Sequence, residues 1–356
     1  MFDLADRISA FEVLGRFLGQ YSETRKDADL KKLNSFFLDD FRNTIIQAGI
    51  YNNWFTQDNV EYALQQWSEA LSQAELEAWV QRYPADHFHP SPSRTVALIM
   101  AGNIPMVGFH DFLSVLLSGH KALIKPSSDD SLLITFIAQI LVAIDRRFAE
   151  HILFAEGKLS DFDAVIATGS NNSSRYFDYY FSKYPHIIRK NRTSTAVLLG
   201  DETQEQLEKL GDDVFRYFGL GCRSISKLYL PKGFDLDRIF KAFYNYKGVI
   251  DNKKYSNNYD YNRAIFLMEK QAFLENGFVM LKESDRLHAP AAIVYYEFYE
   301  NREALTQTLA KLEEQLQCVV GQKRAPLAQI GFGQSQQPHL WDYADKVDTL
   351  RFLRTI

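Results

Sequence analysis

The sequence predicts an α/β protein of two lobes, a doubly wound parallel-sheet lobe followed by a second α/β lobe. Three observations carry that expectation. Strand-like and helix-like segments alternate from residue 95 onward, and parallel strands need crossover helices between them. A chain of 356 residues exceeds the size at which one hydrophobic core keeps growing. Small-residue turns recur where strands give way to helices, the edge at which such sheets bind ligands.

The first ninety residues read as helices, with apolar residues at helical spacing in "FFLDDFRNTIIQAGI" (36–50) and "NVEYALQQWSEALSQAELEAWVQRY" (59–83). They form a segment, 1–90, expected to cover the sheet. After the punctuation of "YPADHFHPSPS" (83–93) comes the strand "TVALIM" (95–100), then the helix "MVGFHDFLSVLLSG" (106–119) stopped by Gly119. "KALIKP" (121–126) is a short strand closed by Pro126. Ser127 or Ser128 can cap the next helix, whose apolar face is Leu132, Leu133, Phe136, Ile137, Ile140, Leu141 and Ile144. "FDAVIATGS" (162–170) is a third strand, "SSRYFDYYFSKY" (173–184) a third helix and "TAVLLG" (195–200) a further strand. These elements place a Rossmann-like cofactor domain over 91–192 and a second domain over 193–325. Residues 326–356 close the chain, and the tail "VDTLRFLRTI" alternates like a strand.

Composition removes several function classes. A formal net charge of -5 with scattered Lys and Arg gives no basic field for nucleic acid. No window reaches the ~20 continuous apolar residues of a membrane helix, and "MFDLADRISAFEVLGRF" does not read as a secretory signal. Two cysteines, Cys222 and Cys318, are no disulfide framework and have no metal-type spacing. A cytoplasmic protein with free thiols is the expectation.

Neither G-x-G-x-x-G after a strand nor G-x-x-x-x-G-K-[ST] occurs. The strand ends offer other turns: "AGNIP" (101–105), "KPSS" (125–128) and "ATGSNNSS" (167–174), where backbone N–H groups and a helix start could take a phosphate, with Lys125 adding a cation. Any one of them alone reads as an ordinary strand-to-helix turn; three in order read as a nucleotide edge. In "FGLGCRSISKLYLP" (218–231) Cys222 follows two glycines, after the helical "TQEQLEKLGDDVFRYF" and before the strand "SKLYL". A lone cysteine in apolar company is usually inert core. Beside the other motifs it reads as a nucleophile, with Gly219 and Gly221 leaving the sulfur unshielded.

Together "MAGNIPMVGFHDFLSVLLSGHKALIKPSS", "ATGSNNSSRYF", "YFGLGCRSISKLYLP" and "FGQSQQPHLWDYADKVDTLRFL" resemble the LuxC-type acyl-CoA reductases of bacterial bioluminescence, a branch of the aldehyde dehydrogenase superfamily. The resemblance runs from about residue 90 to the end and is weaker before it. It implies an aldehyde-dehydrogenase-like fold, with Cys222 as catalytic thiolate and Asn103 as a carboxamide donor to the oxyanion. It implies that Lys125, Pro126 and Ser127 contact the adenosine ribose side of a nicotinamide cofactor, and that Thr168, Gly169 and Ser170 face its pyrophosphate. It implies NADPH as the cofactor, with NADH as the alternative. The donor is an acyl-CoA or acyl-protein, a partner protein that transfers acyl groups is possible, and a homodimer paired through the terminal strand is expected.

One departure bears on the chemistry. Hydrolytic aldehyde dehydrogenases carry a glutamate that activates water, and the matching stretch here, "IIRKNRTSTAVLL" from Ile187 to Leu199, holds no carboxylate. An acyl-enzyme without that base is not cleared efficiently by water, which favours reduction of a fatty acyl thioester to the aldehyde over oxidation to the acid. Aldehyde oxidation and a non-catalytic acyl-binding scaffold remain the alternatives. Of the other residues, His110 and Asp111 do not share a helix face and are expected to pack or cap locally. His87 and His89 lack further ligands and read as loop residues. Cys318 reads as a buried small hydrophobe, and 244–263 as either a substrate-facing loop or a solvated connection.

Overall fold

The structure, a computed structural model, describes residues 2–21, 27–169 and 171–356, and of 171–174 the backbone alone. It divides into two compact units, Met1–Lys190 with His339–Ile356, and Asn191–Pro338.

The first unit opens with four helices, α1 (Leu4–Gly19), α2 (Lys31–Tyr51), α3 (Gln57–Ala70) and α4 (Gln73–Val80). Asp3, Thr56 and Ser72 cap three of them by accepting backbone N–H groups, as short oxygen-bearing side chains do. There follow β1 (Thr95–Ile99), α5 (Phe109–Leu117), β2 (Lys121–Lys125), α6 (Leu132–Ile144), β3 (Ile152–Phe154), β4 (Ala164–Thr168), α7 (Asn171–Phe181) and β5 (His186–Arg189). The strands run β3-β2-β1-β4-β5, all parallel, so the winding reverses between β1 and β4. Alternation along each strand splits the core in two. Val96, Leu98, Ile166 and Ile187 face the layer of α5 and α6, which α1 and α2 cover in turn. Ala97, Val165 and Ala167 face Phe177 and Phe181 of α7.

The second unit holds β6 (Thr193–Val197), α8 (Gln204–Phe215), β7 (Ile225–Pro231), α9 (Asp237–Phe243), α10 (Lys253–Met268), β8 (Leu274–Glu275), β9 (Met280–Glu283), β10 (Ile293–Tyr299), α11 (Arg302–Lys311) and β11 (Leu316–Gly321). Its sheet runs β11-β6-β7-β10-β9-β8, parallel except for β8 against β9.

Several sequence expectations need correction. The tail is no strand: Thr349–Arg354 is a helix capped by Asp348, which accepts Arg351 N–H at 2.9 Å. Thr349, Leu350 and Leu353 are buried, a helical stripe that the alternating pattern concealed. A homodimer paired through a terminal strand therefore has no such strand to use. The closing segment 326–356 also divides, 326–338 belonging to the second unit and 339–356 to the first. That tail is moored by Trp79 Nε1 donating to Tyr343 at 2.8 Å, by Tyr83 donating to Asp348 at 3.0 Å, and by His120 Nε2 at 3.0 Å from the Leu353 carbonyl. Because Arg94 N–H donates to His120 Nδ1, the imidazole is neutral with its proton on Nε2, and burial holds its pKa below the usual range. Residues 244–263 are not a loop but a helical turn leading into α10, with Tyr255 and Tyr259 buried. Strands β3 and β5 had no separate expectation, and "TAVLLG" contributes to a strand of the second sheet.

Candidate active site

In the first unit the sheet register brings the three turns to one edge. Ile99 pairs with both Lys125 and Ala167, so the chain leaves β1, β2 and β4 side by side at their carboxyl ends, around the point where the winding reverses. Asn103 and Lys125 are exposed there, while Pro126, Ser127, Thr168 and Gly169 are half-buried. Ser170 lies outside the described residues. Ser127 Oγ accepts Asp129 N–H at 3.2 Å and so caps a single 3-10 turn, Ser128–Asp130, ahead of α6.

Two residues without a sequence signal hold these turns together. Asn52, at the end of α2, donates through Nδ2 to the Gly102 carbonyl at 3.3 Å and the Asp129 carbonyl at 3.4 Å. Asp130 accepts Met106 N–H at 2.8 Å, at a left-handed residue with φ of 57°. Gly102 is required by the close approach, since a Cβ there would meet Ser127 Oγ at 2.6 Å. Asn103 thus belongs to a loop pinned at Gly102 and at Met106.

Asp130 is 7% exposed and its second oxygen has no hydrogen-bond partner. Burial pushes its carboxyl up to about 7 against the pull of the Met106 N–H. The folded chain holds that proton between about pH 4 and 7 while the unfolded chain has released it, so this site's contribution to stability falls as pH rises through that window. An Asp130→Asn chain keeps an acceptor for Met106 N–H and does not titrate. Its urea midpoint relative to the native chain is expected to be higher at pH 8 than at pH 5, and a difference independent of pH would contradict this account.

In the second unit, α8 ends in a tight turn whose Tyr217, Phe218 and Gly219 all have left-handed φ values of 53°, 57° and 76°. For two aromatic residues this conformation costs on the order of 1–3 kcal/mol each. Burial offsets it: Tyr217 and Phe218 are 6% and 7% exposed, and Phe218 packs on Tyr255 with centroids 5.9 Å apart. The turn reverses the chain and leaves Cys222 exposed ahead of β7, while Cys318 on β11 is buried. Ser194 of β6 donates through Oγ to the Cys222 carbonyl at 2.9 Å and accepts Cys318 N–H at 3.2 Å. With that proton spent on the carbonyl, the Cys318 thiol, 3.1 Å away, donates to Ser194. Cys318 is thus buried as expected but also hydrogen-bonded, and burial pushes its thiol up to about 11. The cavity beside the turn, lined by Phe215, Phe218, Ser226, Tyr255, Val279 and Val294 among others, has a free volume of about 20 Å³, room for a water but not for an acyl chain.

Two buried carboxylates of this unit are occupied. Glu202, just past the Ile187–Leu199 stretch, accepts Leu199 N–H at 2.6 Å and Gly200 N–H at 3.0 Å. Asp213 on α8 accepts Gly333 N–H at 2.7 Å and Ser335 N–H at 2.9 Å. His110 and Asp111 take different partners, as expected, but not local ones. His110 Nε2 lies 2.8 Å from the Leu340 carbonyl, and Asp111 forms a buried ion pair with Arg189. His87 and His89 flank buried Phe88, and among the described residues no cluster of His, Cys, Asp or Glu could hold a metal.

A five-stranded sheet wound in the order 3-2-1-4-5, joined in one chain to a second parallel α/β unit with an exposed cysteine ahead of an inner strand, defines the aldehyde dehydrogenase class of fold. Solved structures agree. Aldehyde dehydrogenase 21 from Physcomitrella patens, in complex with succinate, superposes with a TM-score of 0.64 over 98% of this chain and 84% of that one, at 10% identity. Indole-3-acetaldehyde dehydrogenase AldA of P. syringae, with NAD+ bound, gives 0.65 over 92% and 76%, at 13% identity. A Mycobacterium tuberculosis aldehyde dehydrogenase complexed with NAD+ gives 0.60 over 85% and 70%, at 13% identity. The acyl-CoA reductase (LuxC) family model matches residues 11–239, more than half of the 356 residues, and the chain belongs to that family. The match begins inside α1, so the N-terminal helices share in the family likeness that the motifs placed after residue 90. No curated protein sequence matches the chain significantly. Family and fold together make it a reductase or aldehyde-processing oxidoreductase.

Proposed function

We propose that the chain is a nicotinamide-dependent acyl-CoA reductase that turns a fatty acyl thioester into its aldehyde through an acyl group on Cys222. The observation that carries this is the exposed thiol on the strained, buried-aromatic turn before β7, in a member of the acyl-CoA reductase family. The Cys222 thiolate attacks the thioester carbonyl, a carbon–sulfur bond forms to the protein, and the CoA thiolate leaves with the electron pair. The cofactor, when bound, supplies a hydride to the acyl carbon. With hydride added, the oxyanion left on the carbon bonded to Cys222 would collapse to the aldehyde as the carbon–sulfur bond breaks and the electron pair returns to the Cys222 thiolate. Asn103 is the carboxamide that this reading assigns to the oxyanion. The donor set at the first unit's sheet edge suits a nucleotide: exposed Lys125 for ribose or phosphate oxygens, and the Thr168–Gly169 turn at the winding reversal. NADPH is the cofactor we favour, from the family resemblance.

Mixing the purified chain with a series of acyl-CoAs should give an acyl mass on Cys222, removed by NADPH with release of aldehyde. Acid in place of aldehyde would show that water clears the acyl-enzyme, the deacylation that aldehyde oxidation to acid requires and this reading denies, and no adduct with any ester would overturn the reading. Asn103→Asp keeps a turn-forming residue and removes the N–H donor. It is expected to slow acylation by about a hundredfold, the scale of a lost oxyanion donor at ~3 kcal/mol, and a native rate would remove Asn103 from the mechanism.

A further inference from the structure

We infer that Gln336 is a positioning residue for Cys222, acting through the hydroxyl of Ser224; the inference rests on the reading of Cys222 as the acyl acceptor. Gln336 Nε2 donates to Ser224 Oγ at 3.2 Å. The same oxygen accepts Gly221 N–H at 3.2 Å, and Ser224 N–H donates to the Gly221 carbonyl at 3.0 Å. Ser224, 2% exposed, therefore closes the four-residue turn that carries Cys222 from both of Gly221's backbone groups. A hydroxyl oxygen that accepts two N–H donors has its rotor fixed, because moving off one donor gives up the other. Gln336 supplies the second of them and pins the oxygen on which Gly221 hangs.

The far end of the contact is equally fixed. Asp213, 1% exposed, accepts Gly333 N–H and Ser335 N–H, so the segment that bears Gln336 is moored to α8. That helix runs directly into the left-handed Tyr217–Gly219 turn. A closed ring results: α8, the strained turn, Cys222, Ser224, Gln336, the Gly333–Ser335 backbone, Asp213, and α8 again. Ser194 of β6 also holds the Cys222 carbonyl. A nucleophile must be held within about 0.5 Å of its productive geometry, and here a carboxamide ties the 333–336 segment to the cysteine turn. Gln336 itself is only half-buried and belongs to neither apolar core, so its loss should move the turn without unfolding the unit.

The test compares the native chain, Gln336→Met, Ser224→Ala and the double variant. Each is read by intact mass for single-turnover acylation of Cys222 with decanoyl-CoA, for alkylation by iodoacetamide, and for thermal midpoint. Gln336→Met keeps the side-chain length and removes the donor. It is expected to acylate about tenfold more slowly at an unchanged midpoint, with KM unchanged and kcat reduced. Adding it to Ser224→Ala should cost nothing further, because the hydroxyl it acts through is already gone. A native acylation rate in Gln336→Met, or an effect fully additive with Ser224→Ala, would overturn the inference. Failure of the native chain to acylate while Cys222 still alkylates would instead defeat the acyl-transfer reading. Alkylation would then decide the positioning role by itself: an altered rate in Gln336→Met supports it and an unaltered rate overturns it.

Discussion

Cys222→Ala is expected to leave no acyl adduct with any acyl-CoA and to reduce reductase turnover by about 10⁴-fold or more, the scale seen when a covalent nucleophile is removed. The fold should not suffer. Cys222 is exposed, and Ser194 binds its backbone carbonyl, a contact that alanine retains. Thermal midpoints of the two chains should therefore coincide, which separates a chemical loss from a structural one. The second cysteine is the internal control. Burial pushes the Cys318 thiol up to about 11, so it is protonated at neutral pH and shielded from any thioester. Cys318→Ala should still give the adduct at Cys222. Unchanged turnover in Cys222→Ala, or an acyl mass on Cys318 in the native chain, would refute the mechanism.

How far this site was readable from the sequence depends on the range of the interactions that build it. The parallel sheet of the first unit was legible because β1, β2 and β4 are short runs rich in apolar residues and soon followed by Gly or Pro, and these signals are local. Cys222, Asn103 and Lys125 stood out because motifs lie contiguous in the chain. What fixes them was not legible. Asn52 reaches Gly102 across 50 residues, Gln336 reaches Ser224 across 112, and Cys318 reaches Ser194 across 124. A polar residue whose partner is that distant looks locally like any surface residue. The terminal helix was misread for a related reason. Leu350 and Leu353 suit a helix face, but the segment "VDTLRFLRTI" also alternates, and packing, not the local pattern, decided between the two periods.

Asp111→Ala is expected to destabilise the first unit by about 3–5 kcal/mol, the cost of leaving one member of a buried ion pair without the other. Arg189 and Asp111 are 5% and 10% exposed at the side chain, joined by Nε to Oδ2 at 3.1 Å and Nη2 to Oδ1 at 2.5 Å. The guanidinium also donates to the Ala344 carbonyl at 2.8 Å and to Thr349 Oγ1 at 2.9 Å. One cation thus joins α5, the end of β5 and the C-terminal segment, and removing its carboxylate strips the counter-charge without giving the guanidinium access to water. Two measurements separate this from ordinary loss of packing. Replacing both members, as in Asp111→Leu with Arg189→Met, should recover much of the loss, because no buried charge remains uncompensated. Hydrogen exchange in Asp111→Ala should rise first over 344–353, the stretch Arg189 tethers. A urea unfolding free energy within about 1 kcal/mol of native for Asp111→Ala, or a double variant no better than the single, would show that the pair is not what holds the tail to the sheet.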